Sequence, residues 1–118
     1  MARYFTEEEF KTELDLDRIG EVLKRLYADE DLSSEQECSI EFFMMSDTLD
    51  KLDEMDEILE GMEYDVDSVE KHDDGCELIA ISTPMKMDAE TVTAWYKNLW
   101  TQGYRMDCKL DGWHVLVD

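Results

Sequence analysis

Two stretches of this chain are written in the same order: an apolar strand, a helix with one buried stripe, a glycine, and a second, alternating strand. In the first, residues 38–45 are rich in aromatic and apolar side chains, and Ser46 or Asp47 stands where a helix cap belongs. Leu49, Leu52, Met55, Leu59 and Met62 then recur at helical spacing, Gly61 closes the run, and residues 64–67 alternate. In the second, residues 76–82 form the strand, Pro84 breaks it, and Asp88 caps a helix carrying Ala89, Val92, Tyr96 and Leu99 on one face. Gly103 follows, and residues 104–110 alternate strictly. Gly61 is expected to end its helix in a left-handed conformation, and Gly103 to end the other helix in the equivalent place. Asp73, Asp74 and Gly75, between the two stretches, are a hairpin-turn signal.

The resulting order is strand, helix, strand, strand, helix, strand. Right-handed crossovers place both helices on one face of a single sheet. The expected architecture is therefore α+β, a ferredoxin-like split βαβ sandwich. A turn at Asp111 and Gly112 would add a last short strand over 113–117, forming a C-terminal hairpin. Two further helices precede this unit. Thr6 and Glu9 have the spacing of a capping box, with Phe5 and Phe10 placed as a hydrophobic staple. That helix should run to about Leu14, and a second, over 17–28, carries Ile19, Val22, Leu23 and Leu26. Residues 29–37 read as a polar connector. The expected organisation is one domain at 38–118, with 1–37 as helices and connector packed on it, against a sheet edge or part of its open face.

Charge separates the two halves of this pattern. Residues 47–77 hold fourteen acidic residues and two lysines, a net of -12 out of -21 for the chain. Residues 78–118 hold five acids and four bases, a net of -1. Adaptation to high salt would acidify both. On the first helix Asp50, Asp53, Glu54, Glu57 and Glu60 lie opposite the buried stripe, with Lys51 the one compensating charge. Like charges four apart cost a helix about 0.2–0.5 kcal/mol per pair, and anions in its last turn oppose the helix dipole. Asp65 and Asp67 extend the acidic surface onto the next strand. As an edge strand, it would also be protected from aggregation by them. Such a surface repels nucleic acid, whose phosphates need Lys and Arg, and suits a basic protein partner.

The rest of the chain narrows the chemistry. The 43% apolar content suffices for a core in 118 residues, and no run is long enough to span a membrane. The first ten residues lack a secretion signal, and Cys38, Cys76 and Cys108 are odd in number and widely spaced. A cytoplasmic place with reduced thiols is expected. His72 and His114 lie in different hairpins with no ligand spacing, and no nucleophile-elbow, P-loop or dinucleotide motif occurs. No metal, cofactor or catalytic residue is expected. Net repulsion favours a monomer. Trp95 should flank the core and Trp100 pack beneath the N-terminal helices.

Ser46 with Asp47, Gly61 with Tyr64, Gly103 with Tyr104, and Asp111, Gly112 and Trp113 follow one another in an order that resembles the ribonuclease E inhibitor family, regulator of ribonuclease E activity B. Leu110 stands where that family's turn usually has Tyr. The resemblance covers residues 38–117. It implies a non-enzymatic inhibitor that binds an endoribonuclease, chiefly its basic RNA-binding and scaffold region, and so alters RNA decay. The carboxylates named above would engage Arg and Lys there and displace RNA or a partner enzyme. Asp111, Gly112 and Trp113 would hold the terminal hairpin rather than touch the partner. Two other classes stay open: an immunity-type inhibitor covering another nuclease's active site, and a small ferredoxin-like ligand-binding module with a pocket lined by Phe43, Met45 and Trp113.

Overall fold

A computed structural model describes residues 3–117; the outermost ends of the two expected spans, Met1, Ala2 and Asp118, lie outside it. Helices α1 (Glu7–Thr12) and α2 (Asp17–Asp29) lead to a short strand β1 (Glu37–Cys38), then β2 (Ile40–Ser46), α3 (Leu49–Gly61), β3 (Asp65–His72), β4 (Gly75–Ile81), β5 (Met85–Lys86), α4 (Ala89–Arg105) and β6 (Lys109–Val115). β1 pairs with β5, and the other four strands form an antiparallel sheet in the order β3-β4-β2-β6. That order, with a helix following β2 and another following β4, is the ferredoxin-like split βαβ arrangement. The fold is α+β.

Burial alternates along β2 and β4. Phe42, Met44, Leu78 and Ala80 point into the layer of α3 and α4, where Leu52, Met55, Leu59, Val92 and Leu99 meet them without solvent contact. The intervening residues, Glu41, Phe43 and Met45 on β2 and Glu77, Ile79 and Ile81 on β4, are half-buried on the opposite face. The N-terminal helices do not cover that face. They pack on α4: Phe5 is inaccessible between Trp100 and Tyr104, and the Trp100 indole donates to the Phe10 carbonyl at 3.0 Å. Thr6 and Glu9 form the expected capping box, although α1 ends at Thr12 rather than near Leu14.

The helix ends correct the sequence reading. Thr48, not Ser46 or Asp47, caps α3, accepting from the Lys51 amide. Ser46 is buried in β2 and donates to the Asp107 carbonyl. Neither Gly61 nor Gly103 takes a left-handed conformation; Glu63 (φ 66) and Asp107 (φ 59) do. Both helices close in a Schellman motif. The amides of Glu63 and Tyr64 return to Glu60 and Leu59, and those of Asp107 and Cys108 return to Tyr104 and Gly103. Gly103 therefore sits inside α4 for a different reason. A Cβ there would lie 2.4 Å from the Cys108 carbonyl oxygen and 2.8 Å from the Met44 methyl.

Residues 104–110 are accordingly not one strand, and Asp111 with Gly112 is not a turn. β6 runs unbroken beside β2, with Gly112 opposite Phe43 and Leu110 opposite Met44, so that Asp111 is the extra residue of a β-bulge. Among the described residues there is no separate C-terminal hairpin: Trp113, His114 and Val115 stay paired with Phe42, Glu41 and Ile40 of β2. Leu49, expected in the buried stripe of α3, is 37% exposed.

Candidate protein-interaction surface

The apolar stripe of α3 (Leu52, Met55, Leu59) is pressed to the sheet, and this turns Asp50, Asp53, Glu54, Glu57 and Glu60 outward. All five are exposed, and among the described residues none lies within salt-bridge distance of a cation. Lys51, the one base on this helix, is directed away from them. Its ammonium contacts Asp47 at 2.8 Å and Asp107 at 2.6 Å, and these bonds hold it above its ordinary pKa. The carboxylates thus carry their charge into solvent without internal compensation.

Asp56, absent from the expected set, faces the flank of the stripe. Its Oδ1 is shielded from solvent and has no hydrogen-bond partner. Burial raises its carboxyl above the usual range, and Glu60 and Asp53 beside it raise it further. The signal was present in sequence, since Asp56 lies four residues after Leu52 and so shares the side of the helix that faces the sheet.

Asp65 and Asp67 are exposed on β3, a true sheet edge. They do not simply continue the face of α3. Asp65 is paired with Ile81, which places it on the open side of the sheet, away from the helices. Asp67 is bulged out between Val66 and Ser68. The acidic surface therefore wraps the β3 edge, with α3 on one side and Asp65 and Glu70 on the other.

Asp111, Gly112 and Trp113 form no site with these carboxylates; they lie at the opposite sheet edge, in β6. The Trp113 ring packs edge-on against Trp95 at 6.0 Å and Tyr96 at 6.5 Å. Phe43 lies instead on the open face, 3.7 Å from where a Gly112 side chain would begin. A pocket shared by Phe43, Met45 and Trp113 does not exist, because β2 and β6 point them to opposite sides of the sheet. Trp100 is buried under α1 as expected.

Little else offers reactivity. The three cysteines are buried, and burial pushes the Cys108 thiol up to about 12, far from a nucleophile's range. Among the described residues no group of three or more His, Cys, Asp or Glu is placed to hold a metal ion, and no helix is long and apolar enough to cross a membrane. A cleft of about 420 Å³ between the α1–α2 turn and β6 has aromatic walls at Tyr96, Trp100 and Trp113 and balances Asp15 and Asp111 against Arg18. Lys109 at its rim is held by Glu9 and Glu13.

The described residues thus present an exposed acidic face and few reactive groups. No individual curated protein matches the chain. Residues 16–115, from the residue before α2 to the end of β6, match the family model described as regulator of ribonuclease activity B. With most of its length and all four strands of its main sheet inside that match, the chain belongs to the regulator of ribonuclease activity B family.

Proposed function

We propose that this protein acts without catalysis of its own, by binding the basic RNA-binding or scaffold region of an endoribonuclease through the carboxylates of α3 and β3. Regulation of ribonuclease activity comes with the family; the electrostatic mechanism is our reading. One observation carries it: Asp50, Asp53, Glu54, Glu57 and Glu60 are all exposed, while the helix's one lysine is committed elsewhere. Five uncompensated carboxylates on one helix face raise the local concentration of a cationic segment and pair with its Arg and Lys side chains. RNA or a partner enzyme that uses the same segment is then displaced, and RNA decay changes.

Asp65 and Asp67 extend this surface around the sheet edge. Asp111, Gly112 and Trp113, within β6 at the opposite sheet edge, keep that strand in place and do not touch the partner. In this reading residues 38–118 are the regulatory unit, 1–37 brace it, the protein works as a cytoplasmic monomer, and no cofactor takes part.

The test is binding of the purified protein to the host endoribonuclease's basic segment at low and moderate salt. Affinity should fall steeply between the two, because exposed charge pairs are screened over about 8–10 Å. The variant combining Asp53→Asn, Glu54→Gln and Glu57→Gln should lose most of the low-salt affinity while melting no earlier than the parent. Binding that is insensitive to both salt and these changes removes the mechanism.

A further inference from the structure

We propose that the open face of the main sheet is a second, apolar contact surface, and that its occupant is a short amphipathic basic helix of the protein partner. This inference rests on the basic-partner reading above and adds to it a specific place and a requirement for apolar side chains.

The strand pairing lays the face out in three rows. Asp65, Ile81, Glu41 and His114 cross the sheet in the first; Ser68, Ile79, Phe43 and Gly112 in the second; Glu70, Glu77, Met45 and Lys109 in the third. An apolar band therefore crosses diagonally, from Ile81 through Ile79 and Phe43 to Met45. All four side chains are half-buried, and α3 and α4 lie on the other side of the sheet. The solvated face of an antiparallel sheet is usually polar; here it carries four apolar side chains, and none of them belongs to the core packed under the helices.

The rim specifies the partner. Glu41 and Asp65 flank one end of the band, Glu70 and Glu77 the other. Lys109 falls in the third row by register, but its side chain turns around the β6 edge to Glu9 and Glu13 beside Phe5, and so leaves this face. His114 leans on Glu41 at 3.1 Å, and His72 on Glu77 at 3.6 Å. An apolar stripe between two acidic margins matches a helix with apolar residues at i, i+3, i+4 and i+7 and Lys or Arg on either side. Four strands about 4.8 Å apart make a face about 15 Å wide. Two to three helical turns, about 5.4 Å each, cover it. A stretch of basic chain without apolar residues would meet α3 equally well but gain nothing here, which separates the two surfaces.

The experiment uses two synthetic peptides of equal length and charge, about 14 residues, one a Leu/Lys amphipathic helix and the other Gly/Lys. Both are titrated into the ¹⁵N-labelled protein. The Leu/Lys peptide is expected to bind about tenfold or more tightly than the Gly/Lys peptide and to shift the amides of Glu41, Phe43, Met45, Ile79 and Ile81. Phe43→Ser and, as a variant that leaves the apolar residues in place, Glu41→Lys with Glu77→Lys should each remove that advantage. The α3 triple variant should weaken both peptides alike. Equal affinities, or shifts confined to α3, overturn the sheet-face proposal and leave the basic-partner reading standing. Absence of binding by either peptide at low salt overturns both.

Discussion

The two crossover helices hold equivalent places and have opposite surroundings. α4 is covered by its own chain: Trp100 and Tyr104 meet Phe5, the Phe10 ring stacks on Tyr104 at 4.3 Å, and α2 packs alongside. The outer side of α3 has no such cover and carries a row of carboxylates. A cover for α3 would bury charges without partners, at several kcal/mol each. The contrast teaches that the acidity of α3 does two things at once. It keeps this helix in water, and in the function proposed above it reserves the surface for something cationic. Where the chain needed only stability, as on α4, it used aromatic packing.

The glycines break the apparent symmetry most sharply. Gly103→Ala puts a methyl against backbone, 2.4 Å from the Cys108 carbonyl oxygen, which cannot turn aside as a side chain would. The expected loss is about 1–3 kcal/mol or more, read by denaturant unfolding. Gly61→Ala meets nothing within 4 Å in the last turn of α3. There the better helix propensity of alanine should leave stability unchanged or raise it by up to about 1 kcal/mol. Similar losses at both positions would mean that the two helices are packed alike.

Asp107 joins the two halves, and its removal tests how strongly they are coupled. Its carboxylate accepts from the amides of Tyr4 and Phe5 at 3.0 and 2.8 Å and from Lys51 on α3 at 2.6 Å. Burial alone would raise its pKa, but the Lys51 and backbone hydrogen bonds prevail and hold it below the ordinary range. A depressed carboxylate contributes stability above its unfolded value, about 4, and that contribution is lost as the pH falls through the lower folded value. Asp107→Asn keeps a residue that tolerates φ near +60°, so it isolates the charge. It should cost about 1.5–3 kcal/mol at neutral pH, and the difference from the parent should shrink in acid. A difference independent of pH would place the cost in geometry instead.

Much of this was legible in sequence because it rests on local period and local caps. The succession β2, α3, β3, β4, α4, the Thr6–Glu9 capping box, the hairpin turn before Gly75 and the outward face of α3 follow from spacing alone, whereas the two-residue strands β1 and β5 are too short to show a period. The helix ends do not follow from spacing either. Glycine is the usual left-handed residue, whereas here Glu63 and Asp107 adopt that conformation, and Asp107 is held there by contacts some hundred residues away in sequence. Asp111 and Gly112 carry a turn signal in sequence yet form a bulge for a related reason: Asp-Gly signals a reversal only where no neighbouring strand demands continuation, and β2 does. The division of Asp65 from the α3 face depends on strand register, which no single strand encodes.

The smallest expected effect bears on α3 itself. Asp56 is the one carboxylate of this helix turned partly toward the protein, with an unpartnered Oδ1 and Glu60 one turn away. Its raised pKa means that folding disfavours its ionised form. The penalty is absent below the usual carboxylate range, grows as the pH rises through the unfolded value, and is complete above the folded one. Asp56→Asn should therefore stabilise the protein at neutral pH by about 0.2–0.5 kcal/mol, the cost of one like-charged pair a turn apart, and the gain should vanish on acidification. Asp53→Asn, on the exposed side of the same helix, should change stability less and binding more. If the two variants behave alike in both respects, the division of α3 into an inward flank and a partner-facing side fails. If they separate, each carboxylate's role follows from the side of the helix it occupies.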